Sequence, residues 1–534
     1  MWRASIDEAT DRRIDCNQQL RMVLNRRDFV QTAAFVGAYA LRPKIAGAVG
    51  LGSKPEGDQT IEIHADTIHG NLPHVWEECV GSDRAVVGLR EQWLSDLEQV
   101  HKTLGVKSVR FHGLFNDEMG VWPVGAQEPN FLYVDMVFDA MMERGVKPFV
   151  ELSFMPAALA KGSSTIFFYR GNTSPPKEMA KWGELVGALG KHCVGRYGIQ
   201  EVSTWNFEVW NEPNLQYFWA GSQTDYFELY RQSAIALKAV DKRLRVGGPS
   251  TARAGWVGDL LAFCSSQQVP IDFASTHIYP DDPQDKVFGA GIHYPFEEVI
   301  GHALAKVQQE IKSSKIPDLP LYITEWSSQN PAFIAHTIKS TIGLADILSF
   351  WTFDNVFEEL GVPKTFLNAG YGMLGMRGVE RPPFHAFELL HKLGETQLET
   401  GDGPVLATKR KDGSLAILVW NLIPQPPGQR SASGDPMLQT SAQYEQKGQS
   451  QNLVLALDGA HSHRRARITR VDESHGNLAR AYQEMGSPAY PTVDQIAELK
   501  RKSELAPPES VTLNAQKQIG IAVPPNGIAL IEID

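Results

Sequence analysis

Between residues 75 and 395 the chain alternates short apolar runs with longer amphipathic stretches, eight times in succession. The short runs are WEECVG (76–81), VKSVRFHG (106–113), VKPFVELSFMP (146–156), WNFEVWNEPN (205–214), LRVGGPS (244–250), IDFASTHIYP (271–280), LPLYITEWSS (319–328) and ILSFWTFDN (347–355). Nearly continuous apolar character over so short a length is what a parallel strand buried on both faces requires. The stretches between them carry apolar residues at helical spacing. They cover 88–105, 131–145, 177–198, 225–241, 257–268, 295–314, a helix near 335–345, and 384–394. Eight strand-helix units in order predict an α/β fold, a (β/α)8 TIM barrel catalytic domain spanning 75–395.

The segment after 396 is patterned differently. GPVLATKRKDGSLAILVWNL (403–422), QNLVLALDG (451–459), RRARITRVD (464–472) and residues 510–534 alternate apolar with polar and are broken by turn residues. This predicts a C-terminal β-sandwich-like accessory domain over 396–534, with an added strand from about 58–68. IPQPPGQRSASGDP (423–436) reads as a long surface loop.

Residues 1–50 read as an N-terminal extension. From Met22 it carries Arg26-Arg27, then Phe29 and a modest apolar run, like a twin-arginine export signal. Arg42 and Lys44 interrupt that run, which argues against a membrane-spanning helix. The expected location is periplasmic or secreted if the signal works, and otherwise cytoplasmic, with translation starting at Met1 or Met22.

Several functional classes are disfavoured. The net charge of -11 and the short basic cluster at 461–470 provide no footprint for nucleic acid. The four cysteines (Cys16, Cys79, Cys193, Cys264) form no C-x-x-C pair and read as buried free thiols. No HExxH, phosphate-binding loop or dinucleotide fingerprint is present.

In a barrel of this kind, polar groups at the C-terminal ends of the strands form the active site. The fourth apolar run ends in Asn211-Glu212-Pro213 and the seventh in Thr324-Glu325-Trp326. Two glutamates facing each other across the barrel mouth are what glycosidic bond cleavage needs. One protonates the leaving oxygen, and the second stands ~5–5.5 Å away if configuration is retained. One must stay protonated while the other is ionised.

WNFEVWNEPNLQYFW (205–219) resembles the acid/base motif of glycoside hydrolase family 39, which holds β-xylosidases and α-L-iduronidases, and LYITEWSS (321–328) is similar to its nucleophile segment. The likeness continues through VRFHGLFNDEMG, KPFVELSFMP, FFYRGNTSPPK, RVGGP, FASTHIYP, FWTFDNVFEE and DGSLAILVWN, and covers the chain after about residue 60. The resemblance implies Glu212 as acid/base, Glu325 as nucleophile and Asn211 as a partner of the sugar 2-hydroxyl.

His112 is a candidate hydroxyl ligand. His277 and Tyr279 are expected beside the nucleophile, Trp351 as a platform under the sugar, and Arg110 as the group that orders Glu325. Phe167 and Phe168 are expected as pocket walls. One of Glu358 and Glu359 is expected on sugar hydroxyls, with at least one of the two solvated. No metal or cofactor is implied.

The likeness favours an exo-acting β-D-xylosidase that releases xylose from short xylo-oligosaccharides. α-L-Iduronidase-like or arabinosidase activity is the alternative, and a non-catalytic carbohydrate-binding protein the competing class. Small oligosaccharides are the expected partners, without nucleic acid or membrane. Self-association as a dimer or tetramer stands beside a monomer.

Overall fold

The computed structural model describes residues 59–354, 358–359, 361–362, 366, 372–424, 448–459 and 465–534. The export-like segment therefore lies outside the described residues, as do Cys16 and most of the surface loop expected at 423–436. No helix of the described residues is long and apolar enough to cross a membrane.

Eight parallel strands close into a barrel. In chain order they are Val80–Arg84, Ser108–His112, Lys147–Leu152, Asn206–Val209, Arg245–Thr251, Phe273–His277, Leu321–Trp326 and Ile347–Phe350. The eighth strand pairs back onto the first through Phe350 and Val80. Helices follow the strands: Glu91–Leu104, Leu132–Glu143, Met179–Tyr197, Gln223–Val240, Val257–Gln267, Val299–Lys312, Pro331–Ser340 and Pro382–His391. Local chemistry sets their ends. Ser222 and Asp225 form a capping box at the start of the fourth helix. Asn330 caps the seventh, with Pro331 in its first turn. That helix begins at 331 rather than near 335.

The first strand is also displaced from its expected place. Residues 75–77 form a turn, and the strand is Val80–Arg84, buried along its whole length. Its polar side chains concealed it in the sequence. They are paired inside the protein: Ser82 donates to Asp354, and Arg84 reaches Glu118 and Glu358.

The remaining strands form one nine-stranded sheet. Its order is Glu509–Thr512, Arg465–Val471, Ile528–Ile533, Leu415–Trp420, Val405–Lys409, Thr396–Thr400, Gln59–Asn71, Gln451–Asp458 and Gln518–Val523. Gln59–Asn71 runs parallel to Gln451–Asp458 and antiparallel to Thr396–Thr400. Side chains from opposite ends of this sheet, Ile468 and Ile521 among them, share one core, so the sheet curls over itself like a sandwich.

Strand Leu415–Trp420 buries both of its faces. Leu415, Ile417 and Val419 enter the core of the curled sheet. Ala416, Leu418 and Trp420 join the large barrel core. The accessory sheet is thus welded to the barrel by continuous apolar packing. Helices Leu478–Glu484 and Val493–Ser503, which had no counterpart in the sequence reading, pack together over Val379 and Phe366.

Candidate active site

Arg110 lies at the centre of the barrel and is fully buried. Its Nε donates to Glu208 at 2.6 Å, Nη1 to Glu325 at 2.9 Å, and Nη2 to Asn211 at 3.0 Å and Ser250 at 3.1 Å. Nη2 also stands 2.8 Å from Glu151. Burial opposes the charge on Arg110, but Glu151, Glu208 and Glu325 outweigh it and hold the guanidinium firmly protonated. Glu208 in turn accepts from Thr324 at 2.8 Å.

Glu212 lies three residues beyond the fourth strand and Glu325 near the end of the seventh. An oxygen of each carboxylate and a nitrogen of His277 all fall within 4.8 Å of one another. Both glutamates are almost wholly buried. Trp210 and Glu212 adopt left-handed backbone (φ 72° and 46°), unusual for residues with a side chain. The Glu212 N–H donates to the carbonyl of Ser250 at 2.8 Å, which anchors the turn that aims its carboxylate inward.

Glu325 is held from two sides, by Arg110 on Oε1 and by the Tyr279 hydroxyl on Oε2 at 2.9 Å. His277 lies between the two glutamates, its Nδ1 3.2 Å from Glu212 and 3.5 Å from Glu325. The hydrogen-bond network assigns its tautomer. Ser250 accepts from Arg110, so its hydroxyl proton is available to His277 Nε2 at 3.3 Å. That places the imidazole proton on Nδ1, facing the carboxylates.

His112 ends the second strand and meets Glu151 through Nδ1 at 2.8 Å. Burial pulls its pKa down, but the charge and hydrogen bond of Glu151, followed by the charge of Glu325, raise it to about 9. It is therefore an imidazolium at neutral pH. Its Nε2 stands 3.8 Å from Glu325 and 3.9 Å from Glu359, too far to bond either directly.

Phe167 stacks on His112 at 6.0 Å, whereas Phe168 is 61% exposed. Phe167 has left-handed backbone (φ 64°), and of the two phenylalanines it is the one that lies against His112. Trp351 is buried, tilted against His112 at 4.7 Å, and has no open face in this state. Behind it Gly81 leaves the necessary space, since a Cβ there would come within 2.4 Å of the indole.

Neither Glu358 nor Glu359 is solvated, contrary to expectation. Glu358 is bound by Arg84 and Arg90, and these bonds outweigh its burial and lower its pKa.

The sequence reading placed Glu212, Glu325, Asn211, His112, His277, Tyr279 and Arg110 as site residues, and the fold brings all of them together. It passed over Glu151, Glu208 and Ser250, which surround Arg110. A signal was present: Glu151 and Glu208 are charges inside apolar runs, and charges are almost never fully buried unless paired.

The arrangement presents two close carboxylates, one held by cationic and hydroxyl donors, a proton-bearing imidazole between them, and an imidazolium at the side. Such a set suits proton transfer coupled to nucleophilic attack. Glu212, His277 and Glu325 are also close enough to enclose a small cation.

Comparison with known proteins agrees with this geometry. The family described as glycosyl hydrolases family 39 matches residues 59–517. A β-xylosidase of Caldicellulosiruptor saccharolyticus is 34% identical over 497 residues, 87% of this chain and 96% of its own. The crystal structure of a monomeric β-xylosidase from Caulobacter crescentus CB15 superposes with a TM-score of 0.79 at 30% identity, covering 89% of this chain and 99% of that one. An α-L-iduronidase of Mus musculus is 27% identical over 249 residues, 42% of this chain and 36% of its own.

Proposed function

Since the chain belongs to glycosyl hydrolases family 39, we propose that it is a retaining, exo-acting β-D-xylosidase with Glu212 as acid/base and Glu325 as nucleophile. The observation that carries this reading is the approach of the two carboxylates to within 4.8 Å. Retaining enzymes hold the pair about 5–5.5 Å apart, and inverting enzymes about 6.5–9.5 Å, to admit a water.

In the first step the Glu325 carboxylate attacks the anomeric carbon while Glu212 gives its proton to the departing glycosidic oxygen. A covalent glycosyl-enzyme forms and the aglycone leaves as an alcohol. In the second step Glu212, now ionised, takes a proton from water, and the oxygen of that water displaces Glu325 from the sugar. Glu325 returns ionised and Glu212 protonated. Arg110 and Tyr279 support the first step by holding the Glu325 carboxylate from both oxygens and aiming it. Asn211 accepts from Arg110 through its oxygen, which orients its amide NH2 as a donor for the sugar 2-hydroxyl. His112 Nε2–H serves a further sugar hydroxyl.

Xylose is favoured over a uronic acid by the site's charges. Among the described residues Arg84, Arg90 and Arg110 are each committed to protein carboxylates, which suits an uncharged sugar. The similarity to β-xylosidases extends over nearly their whole length, and that to iduronidase over about a third.

The Caulobacter crescentus relative is described as monomeric, which supports a monomer over the dimer or tetramer expected from the family. Export rests on the Arg26-Arg27 segment, and fractionation of producing cells tests it.

The deciding assay uses p-nitrophenyl glycosides with the wild type, E212A and E325A, and follows the anomer first released by NMR. Turnover of the β-D-xyloside with retention, abolished in E325A and slowed at the second step in E212A, supports the proposal. Turnover of an iduronide or arabinoside instead would move the substrate, and inversion would remove Glu325 as nucleophile.

A further inference from the structure

A second cluster of ligating side chains lies where the chain passes between the accessory sheet and the barrel. Strand Gln59–Asn71 enters the barrel through residues 72–79, and the last barrel helix, Pro382–His391, leads back to Thr396–Thr400. The two crossings touch, with Leu72 N–H donating to the Glu395 carbonyl at 2.7 Å. There, His74 Nδ1 and His391 Nδ1 converge on one oxygen, Oε1 of Glu77, at 2.6 and 2.9 Å. The three ligating atoms all lie within 4.8 Å of one another.

The cluster is built into its surroundings. The His74 ring stacks on Trp76 at 4.5 Å. Glu77 sits in a turn closed by its own N–H to the His74 carbonyl, and its carbonyl accepts from Lys107. Gly105, left-handed at φ 71°, ends the first barrel helix directly above. A Cβ there would come 2.5 Å from the His391 ring and 3.0 Å from Glu77 Oε2. The cradle therefore depends on the missing side chain. Solvent enters past His391, whose side chain is 40% exposed, while those of His74 and Glu77 are 13% and 9% exposed.

We propose that His74, Glu77 and His391 form a site for a divalent cation of the zinc class, pinning both interdomain crossings at one point. Two imidazoles and one carboxylate, with one side open to water, make a donor set that zinc accepts. Ligand atoms on bonds of about 2.0–2.2 Å to a tetrahedral ion stand roughly 3.3 Å apart. The two nitrogen–oxygen separations, 2.6 and 2.9 Å, need to open by less than about 1 Å. Each neutral imidazole then offers its Nδ1 lone pair to the ion and carries its proton on Nε2. The site lies far along the chain from the groups proposed for catalysis and uses none of them.

The test is zinc uptake by the full chain after chelator treatment, measured by calorimetry and by metal content after dialysis. The wild type should retain one equivalent at this site, and its unfolding temperature should rise with the logarithm of free zinc. H391A, a change at a half-exposed ring, and H74Q should each lose that equivalent and the thermal shift, while E212Q and E325Q keep both. The proposal is overturned if the wild type retains no zinc. It is equally overturned if H391A and H74Q bind as the wild type does, or if E325Q alone abolishes uptake, since the ion would then lie between the catalytic glutamates.

Discussion

Arg110 and Glu325 meet through a 2.9 Å hydrogen bond where neither side chain is more than 7% exposed. The same guanidinium also neutralises Glu151 and Glu208. One cation thus holds together a nest of three carboxylates. Removing it as R110M strands buried negative charge, a change that costs about 3–5 kcal/mol. Chemical denaturation should show a loss of that size, and xyloside turnover should fall with it.

Tyr279 acts on the other oxygen of Glu325. Y279F deletes a hydrogen bond to a charged group, worth about 1.5–3 kcal/mol. Turnover number should fall roughly 10- to 100-fold with KM little changed, because the bond serves the nucleophile and not substrate binding. A rise in KM alone would show that Tyr279 binds sugar instead.

If Glu212 donates the proton to the leaving oxygen, E212A should be most damaging where the leaving group needs that proton. Hydrolysis of xylobiose should fall by at least about 10³-fold. Attack of Glu325 on an aryl xyloside with an acidic phenol should survive far better, and added azide should accelerate that reaction by replacing water in the second step. Equal losses on both substrates would deny Glu212 this role.

Gly81 is constrained by Trp351. A Cβ at 81 would meet the indole at 2.4 Å and the Phe350 carbonyl at 3.2 Å. G81A should displace Trp351 and the His112 ring against it, at a cost of about 1–3 kcal/mol in stability. Thermal unfolding and kcat/KM should both decline.

A pH effect on stability is expected at Asp96, on the first barrel helix. Burial raises its pKa to about 7, against the opposing influence of Gln92 and Lys500. Because the folded value exceeds the ordinary 3.8, its contribution is complete below pH 4 and is lost as pH rises through 7. D96N stays neutral and keeps an acceptor for the Gln92 amide. By pH 8 it should be more stable than the wild type by on the order of 2–4 kcal/mol, and the advantage should vanish near pH 4. Urea titrations at both values would show this.

The barrel and the meeting of Glu212 with Glu325 were legible because each depends on a local pattern: apolar runs, and carboxylates where those runs end. Other features were hidden because they depend on distant partners. Val80–Arg84 looked too polar for a buried strand, since the groups that satisfy Asp83 and Arg84 come from residues near 358. That Phe167 is the one of the pair stacked on His112 depends on a left-handed backbone residue that the sequence pattern does not mark. The strands at 405–420 showed apolar character, but nothing local told that their second face would press on the barrel rather than on water.

The place of Gln59–Asn71 in the accessory sheet has a consequence for biosynthesis. This strand is made before the barrel, yet its parallel partner, Gln451–Asp458, emerges almost four hundred residues later. The ribosome will have released every barrel strand while Gln59–Asn71 still lacks both neighbours. The barrel can assemble during translation, whereas the sheet must await the end of the chain. Non-local pairing of this kind is slow and leaves an edge exposed to aggregation. Recombinant yield should therefore depend more on the speed of elongation and on chaperone capacity than on the stability of the finished enzyme.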